Sequence, residues 1–203
     1  MSDVLRPALL LDRDGVINVD RGYVCRRADF EWQAGIFDVA RTARRLGLDI
    51  VVVTNQSGIG RGYYTEDDFH TLTAFMRARF DEEGAPLTAI YHCPFHPEAI
   101  ESRWRAPDHP WRKPRPGMIL AARDELRLDL KRSVLIGDRL VDLQAGAAAG
   151  VGTLALVRPA DLAASGLPAY RWFPSLEPVP LWLEGVVGGG AARPALRQTA
   201  GVR

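Results

Sequence analysis

Leu9-Leu10-Leu11-Asp12-Arg13-Asp14-Gly15-Val16-Ile17-Asn18 is the stretch from which the rest of the chain can be read. A short apolar run ends on an acid, a second acid follows two positions later, and a glycine comes directly after. Side chains of a buried strand alternate faces, so Asp12 and Asp14 aim the same way if the extended path persists. Gly15 marks where strand gives way to loop. Two carboxylates held close at the carboxyl end of a strand repel each other unless a cation joins them. The pairing points to a metal-dependent active site.

Outward from this stretch, apolar runs alternate with segments of helical period, the pattern of β-α units around a parallel sheet. The first strand is Ala8 to Leu11, and a long loop from Asn18 to Ala34 carries Asp20, Arg21, Gly22 and Tyr23. Ile36, Val39, Ala43 and Leu46 recur at helical spacing before Gly47. Ile50 to Val53 is apolar on both faces, as a central strand requires. It runs into the polar, glycine-rich Thr54–Gly62 loop. Thr65 with Asp68 forms a capping box that opens a helix whose Phe69, Leu72, Met76 and Phe80 face the core. Leu87 to Tyr91 is a third strand, followed by a loop rich in Pro, His, Trp and Arg from His92 to Pro116. Met118 to Leu128 is helical, Val134 to Ile136 is a buried strand, Leu140 to Ala149 is helical and Thr153 to Val157 is another strand. Tyr170 to Phe173 reads as an edge strand and Leu176 to Leu183 as a short helix. The expected organisation is one domain over residues 1–184 and a disordered tail over 185–203, where Gly, Ala and Arg dominate.

The chain has 203 residues, 47% hydrophobic and 25% charged, with a formal net charge of +1. One ordinary globular domain accounts for this. No bulk field draws it to nucleic acid or membrane, so any anion must be held by local placement. Cys25 and Cys93 are too few for a disulfide framework. The amino terminus carries no apolar run long enough to span a bilayer. The expected setting is the cytoplasm, with the chain acting as a monomer.

In open α/β sheets ligands sit beyond the carboxyl ends of the strands. Here those ends deliver Asp12 and Asp14, then Thr54 and Asn55, then Asp138, with Arg112 and Lys113 in the loop after the third strand. A lone acid after a strand is more often a helix cap than a catalyst. Four such features in order are hard to explain by folding alone.

Asp12-Arg13-Asp14-Gly15, Thr54-Asn55, Lys113-Pro114 and Gly137-Asp138 with Asp142 resemble the four motifs of the haloacid dehalogenase (HAD) superfamily of phosphohydrolases, over roughly residues 8–157. Asp-Arg-Asp-Gly-Val-Ile-Asn-Val-Asp (Asp12 to Asp20), Thr-Asn-Gln-Ser-Gly-Ile (Thr54 to Ile59) and Arg-Lys-Pro-Arg-Pro-Gly-Met (Arg112 to Met118) are similar to the D-glycero-D-manno-heptose 1,7-bisphosphate 7-phosphatases. Histidinol-phosphate phosphatases share much of the pattern. The resemblance implies a Rossmann-like three-layer α/β sandwich around a central parallel sheet, without a large cap domain. It implies Mg2+, with Asp12 and Asp138 as carboxylate ligands and Asp14 as a backbone-carbonyl ligand. Asp12 would be the nucleophile and Asp14 the general acid and base, with Thr54 and Lys113 holding the phosphoryl oxygens and Asp142 orienting the metal site or Lys113. Arg13 has a structural or entrance role and is left out of the chemistry.

Recognition of a small phosphorylated sugar then falls to loops: Asp20, Arg21, Gly22 and Tyr23 on one wall, Asn55, Gln56 and Ser57 on another, and Arg112 and Arg139 for a second phosphate or sugar hydroxyls. The resemblance breaks at one place. Relatives hold a structural zinc through a Cys-x-His pair and a Cys-x-Cys pair, whereas here Phe95, His109 and Trp111 occupy three of those positions beside Cys93. Tetrahedral zinc needs four N or S ligands, and His92, Cys93, His96 and His109 are wrongly spaced to replace them. No zinc is expected, and Phe95, Trp104 and Trp111 are expected to pack this loop. Two alternatives stay open: histidinol-phosphate phosphatase activity, and a phospho-ligand sensor that does no chemistry.

Overall fold

The computed structural model describes residues 4–158 and 169–188. β1 (Ala8–Leu11) leads through a long loop to α1 (Ile36–Arg45), β2 (Asp49–Asn55) and a single helical turn, α2 (Ser57–Gly60). Next come α3 (Glu66–Glu82), β3 (Ala89–Cys93), a second long loop, α4 (Gly117–Leu126) and β4 (Val134–Gly137). α5 (Leu140–Ala149), β5 (Thr153–Val157), β6 (Arg171–Phe173) and α6 (Val179–Val187) complete the order. The described strands form one sheet in the order β3-β2-β1-β4-β5-β6, and every pairing is parallel.

Alternation along the strands builds the two faces. Leu9, Leu11, Ile50, Val52, Val134 and Ile136 pack with Ile36, Val39 and Ala43 of α1, Leu72, Met76 and Phe80 of α3, and Val179 and Leu183 of α6. Ala8, Leu10, Val51, Val53 and Leu135 face the other way, against Met118, Ile119 and Ala122 of α4 and Leu143 and Ala145 of α5. Both faces of the central strands are therefore dry, as their continuous apolar runs require. This is the expected three-layer, Rossmann-like sandwich. Thr65 caps α3 as its sequence implies: its hydroxyl accepts from the Asp68 N–H at 3.1 Å while the Asp68 carboxylate accepts from the Thr65 N–H at 2.8 Å.

Several boundaries differ from the sequence reading. β3 lies two residues later than Leu87–Tyr91, because His92 and Cys93 continue the ladder beside Thr54 and Asn55. A shift of two preserves the faces, so the apolar pattern alone could not detect it. Thr54 and Asn55 belong to β2, and Ser57–Gly60 is a helical turn rather than open loop. α4 stops at Leu126, where Arg127 adopts a left-handed conformation at φ 56°; buried Leu128 lies past the helix end. α6 begins at Val179 and continues to Val187, so the expected tail boundary at 185 falls inside a helix. Val186 and Val187 pack against the core, and that apolar contact holds the last turn. The expected disorder from 189 onward lies outside the described residues.

The sheet order reverses at β1, which sits between β2 and β4. A crevice opens at such a switch point, and it receives the residues that follow β1, β2 and β4. Among the described residues no helix is long and apolar enough to cross a membrane.

Candidate active site

Asp12 directly follows β1, and its N–H bonds the Ile136 carbonyl of β4 at 3.1 Å. Asp12 Oδ1 accepts from the Arg13 N–H at 2.7 Å, and Oδ2 lies 3.0 Å from Lys113 Nζ. The same Nζ is 2.6 Å from Asp142 Oδ1 and donates to the Val53 carbonyl at 2.8 Å. Lys113 is 3% exposed. Burial pulls its pKa down, but Asp12 and Asp142 outweigh that and hold the ammonium above its ordinary range. Asp12 is raised to about 6: burial pushes it up, Lys113 opposes and Asp142 adds repulsion. Asp138 is raised to about 8 by burial, then by Asp12 and Asp142.

Asp12, Asp138 and Asp142 each present a carboxylate oxygen within 4.8 Å of the others. The Asp142 oxygens are both engaged, one with Lys113 and the other with the Arg139 N–H at 2.9 Å. Asp138 Oδ1 is buried with no hydrogen-bond partner. An orphaned carboxylate oxygen costs desolvation energy with nothing in return. Together with Asp12 it makes a hard oxygen donor set of the kind magnesium prefers, so the residues present fit a divalent cation. Gly15 protects the spot. It has φ +87°, and a Cβ there would lie 2.3 Å from Asp138 Oδ2. Gly15→Ala therefore displaces Asp138 and strains the turn. We expect at least a tenfold rise in the Mg2+ concentration needed for half-maximal activity, read by metal titration.

Asp14 reaches the crevice by a route other than strand alternation. The strand ends at Leu11, and the Arg13 carbonyl gathers the N–H groups of Val16, Ile17 and Asn18 into a tight turn. Arg13 is 1% exposed. Its Nη2 bonds the Val24 carbonyl at 2.7 Å, and Nε and Nη2 both donate to the Asp14 carboxylate at 2.9–3.2 Å. Asn18 Nδ2 adds a bond at 3.0 Å and Gln56 Nε2 one at 2.9 Å. Arg13 thus sets the Asp14 rotamer from beneath the site. A lone base between two acids in the sequence was the signal for it.

Asp12, Asp14, Lys113 and Asp142 line a cavity of about 340 Å³ with Asp20, Gly22, Tyr23, Thr54, Asn55, Gln56, Ser57, Arg112 and Arg139. Arg21 is the exception: it points to Glu31 and forms an exposed ion pair, so the expected wall contact is absent. Asn55 lines the cavity, but its amide clamps the Lys113 backbone, Nδ2 to the carbonyl and Oδ1 from the N–H, both at 3.1 Å. Its contact is with the lysine loop. Arg112 Nη1 is tethered to the Phe95 carbonyl at 3.1 Å. At the mouth Arg139 pairs with Asp20 at 2.6 Å, and Arg61 donates to the Tyr23 hydroxyl at 2.9 Å. Tyr64, which sequence reasoning passed over, also lines the cavity.

The loop that departs from the zinc pattern is packed by aromatic rings. Phe95 stacks on His109 with centroids 3.5 Å apart and planes 8° apart, and meets the edge of Trp104 at 5.2 Å. Trp111 meets Tyr91 at 6.2 Å. His92 lies against Phe69 at 4.2 Å, and burial lowers its pKa to about 4.

The chain is similar to known phosphatases in sequence and in fold. Residues 110–169 match the HAD-hydrolase-like family. The D-glycero-alpha-D-manno-heptose-1,7-bisphosphate 7-phosphatase of Burkholderia mallei is 52% identical over 154 residues, covering 76% of this chain and 81% of that one. The beta-anomer enzyme of Escherichia coli K12 is 48% identical, covering 75% and 79%. Among solved structures, a putative HAD-like phosphatase from Mesorhizobium loti superposes with TM-score 0.79 at 36% identity, covering 90% and 86%. The D,D-heptose 1,7-bisphosphate phosphatase of B. bronchiseptica, complexed with magnesium and phosphate, gives TM-score 0.77 at 29% identity, covering 88% and 98%. With that identity across four-fifths of a relative, and the carboxylate–lysine site those motifs build, this chain belongs to the heptose-1,7-bisphosphate 7-phosphatase family of HAD-like hydrolases.

Proposed function

We propose that this protein hydrolyses the 7-phosphate of D-glycero-D-manno-heptose 1,7-bisphosphate, with Asp12 as nucleophile. The observation that carries the reading is the buried Asp12–Lys113–Asp142 array beside the orphaned Asp138 oxygen. Folding alone gives no reason to bury two acids and a lysine together beside a third acid. A cavity of about 340 Å³ with two arginines on its walls suits a small sugar carrying a second phosphate. We further propose that it acts in the cytoplasm as a monomer.

Asp12 faces a charge problem. A carboxylate about 4 Å from a phosphate dianion meets roughly 8 kcal/mol of repulsion at an effective dielectric near 20. A magnesium ion held by Asp12, Asp138 and the Asp14 backbone carbonyl would screen that repulsion and polarise the phosphoryl group. Lys113 and the Thr54 hydroxyl donate to the equatorial oxygens while charge redistributes. A carboxylate oxygen of Asp12 bonds to phosphorus as the ester P–O bond breaks, and Asp14 passes a proton to the departing alkoxide. In the second half Asp14 takes a proton from water. That water's oxygen bonds to phosphorus, the aspartyl P–O bond breaks and Asp12 is restored.

Asp142 holds Lys113 between the two acids, and Asn55 fixes the backbone that carries it. The test is inorganic phosphate release by the purified protein from heptose 1,7-bisphosphate and from histidinol phosphate, with Mg2+ and with EDTA. A kcat/KM at least tenfold higher on the heptose supports the proposal. The reverse ratio assigns the second activity, and no release from either with Mg2+ makes the protein a sensor.

The raised acids also predict how pH and metal are linked. With Asp138 near 8 and Asp12 near 6, the metal-free site carries protons that a cation must displace. Mg2+ affinity should therefore strengthen as pH rises from 6 to 8 and level off above. Both folded values lie above the unfolded value of 3.8, so metal-free stability declines as pH climbs from about 4 to 8. The increase in Tm on adding Mg2+ should be larger at pH 8 than at pH 6. Calorimetry in buffers of different ionisation enthalpy measures the released protons, and zero release at pH 7 would contradict the assignment.

A further inference from the structure

Tyr64 stands just before the α3 cap and has no part in the chemistry above. Its ring packs on Gly58, where a Cβ would come within 2.1 Å of Tyr64 Cε1. The phenol donates a 2.5 Å hydrogen bond to Gln56 Oε1. Gln56 is buried, and its Nε2 donates both to Asp14 Oδ2 and to Thr54 Oγ1, each at 2.9 Å. An amide can face either way, but Asp14 Oδ2 already accepts from Arg13 Nε and Nη2 and so takes a further donor, which turns the amide nitrogen to it. The oxygen at the other end then needs a donor, and Tyr64 supplies it. Burial pushes the phenol far above the ordinary tyrosine value, so it remains a donor at any working pH.

We propose that Tyr64 is a positioning residue for proton transfer, acting through Gln56 to hold the Asp14 carboxyl group where it meets the leaving oxygen. The step served is the first displacement: the P–O ester bond breaks, the Asp12–phosphorus bond forms, and the Asp14 proton moves to the alkoxide. Arg13 and Asn18 hold Asp14 from its own turn, only one and four residues away. Gln56 is the anchor from across the cavity, and without the phenol its amide keeps its two Nε2 bonds but loses the donor that fixes its far end. The proposal rests on the phosphatase reading.

The test exploits leaving groups. A sugar alkoxide needs its proton at departure, whereas p-nitrophenolate leaves without one. Tyr64→Phe keeps the ring on Gly58 and removes only the donor. With the full-length protein and Mg2+, we expect kcat on the sugar phosphate to fall roughly tenfold, with KM within about twofold and kcat on p-nitrophenyl phosphate changed less than about twofold. Adding Tyr64→Phe to Gln56→Ala should cost nothing further. Equal loss on both substrates, no loss on either, or a change in KM alone overturns the proposal. So does an additive double variant. If Tyr64→Phe loses its native circular dichroism, Gln56→Ala must lose at least tenfold more kcat on the sugar phosphate than on p-nitrophenyl phosphate. A wild-type protein that releases no phosphate overturns the phosphatase reading and this proposal together. An active wild type with an unaffected Tyr64→Phe overturns this proposal alone.

Discussion

Asp12→Asn abolishes turnover, by roughly 10⁴-fold or more in kcat, because the amide cannot form the aspartyl-phosphate. The fold should survive, for a reason the site itself supplies. Asp12 is buried among Lys113, Asp138 and Asp142, and burial holds its pKa near 6. Three acids around one lysine repel one another, and replacing one by a neutral isostere relieves that repulsion. Lys113 keeps its 2.6 Å contact with Asp142 and its bond to Val53. The Tm of metal-free Asp12→Asn should match or exceed that of the wild type, as expected where a functional site is held at the expense of stability. Phosphate release above a thousandth of the wild-type rate would sink the nucleophile assignment, whatever the Tm.

Lys113→Met should damage both activity and stability. The ammonium is the shared partner of two buried carboxylates and the donor to the Val53 carbonyl. Its removal leaves Asp12 and Asp142 facing each other in a dry site. Breaking such a pair from one side costs about 3–5 kcal/mol, which for a chain of this size lowers Tm by roughly 6–20 °C. Activity should fall about 10²–10³-fold, the usual effect of losing one donor to developing charge. Asp142→Asn added to Lys113→Met should recover part of the lost Tm and none of the activity. A Tm unchanged in the single variant would show that the array is worth less than its burial implies.

The two predictions differ in sign because the array holds more acid than base. Removing an acid relieves it and removing the base leaves it uncompensated. Burial first and then the same excess of acid raise the pKa of Asp138, and the expected proton release on metal binding follows from that.

Much of this was legible in the chain. Leu9 to Leu11 and Ile50 to Val53 are apolar at consecutive positions, and only a strand covered on both faces makes use of that. Asp12, Thr54 and Asp138 each sit where such a run ends, so a parallel sheet had to deliver them to one rim. Limits arose where local patterns were silent. An even shift in β3 left every face unchanged, so hydrophobicity could not locate the strand. Arg21 lies in the loop that supplies Asp20 and Tyr23, yet it turns outward to Glu31. Composition says nothing about which way a loop side chain points.

Sequence alone determined which residue types stand at the strand ends and that helices cover both faces, since alternation, helical period and capping act between neighbours along the chain. Tertiary structure decided the partners. Asn55 clamps a lysine backbone 58 residues away, Gln56 reaches Asp14 across 42 and Lys113 reaches Val53 across 60. Such pairs form only after the strands have come into register and water has left the crevice. Each buried donor must then take an acceptor within reach, and no pattern along the sequence records that choice.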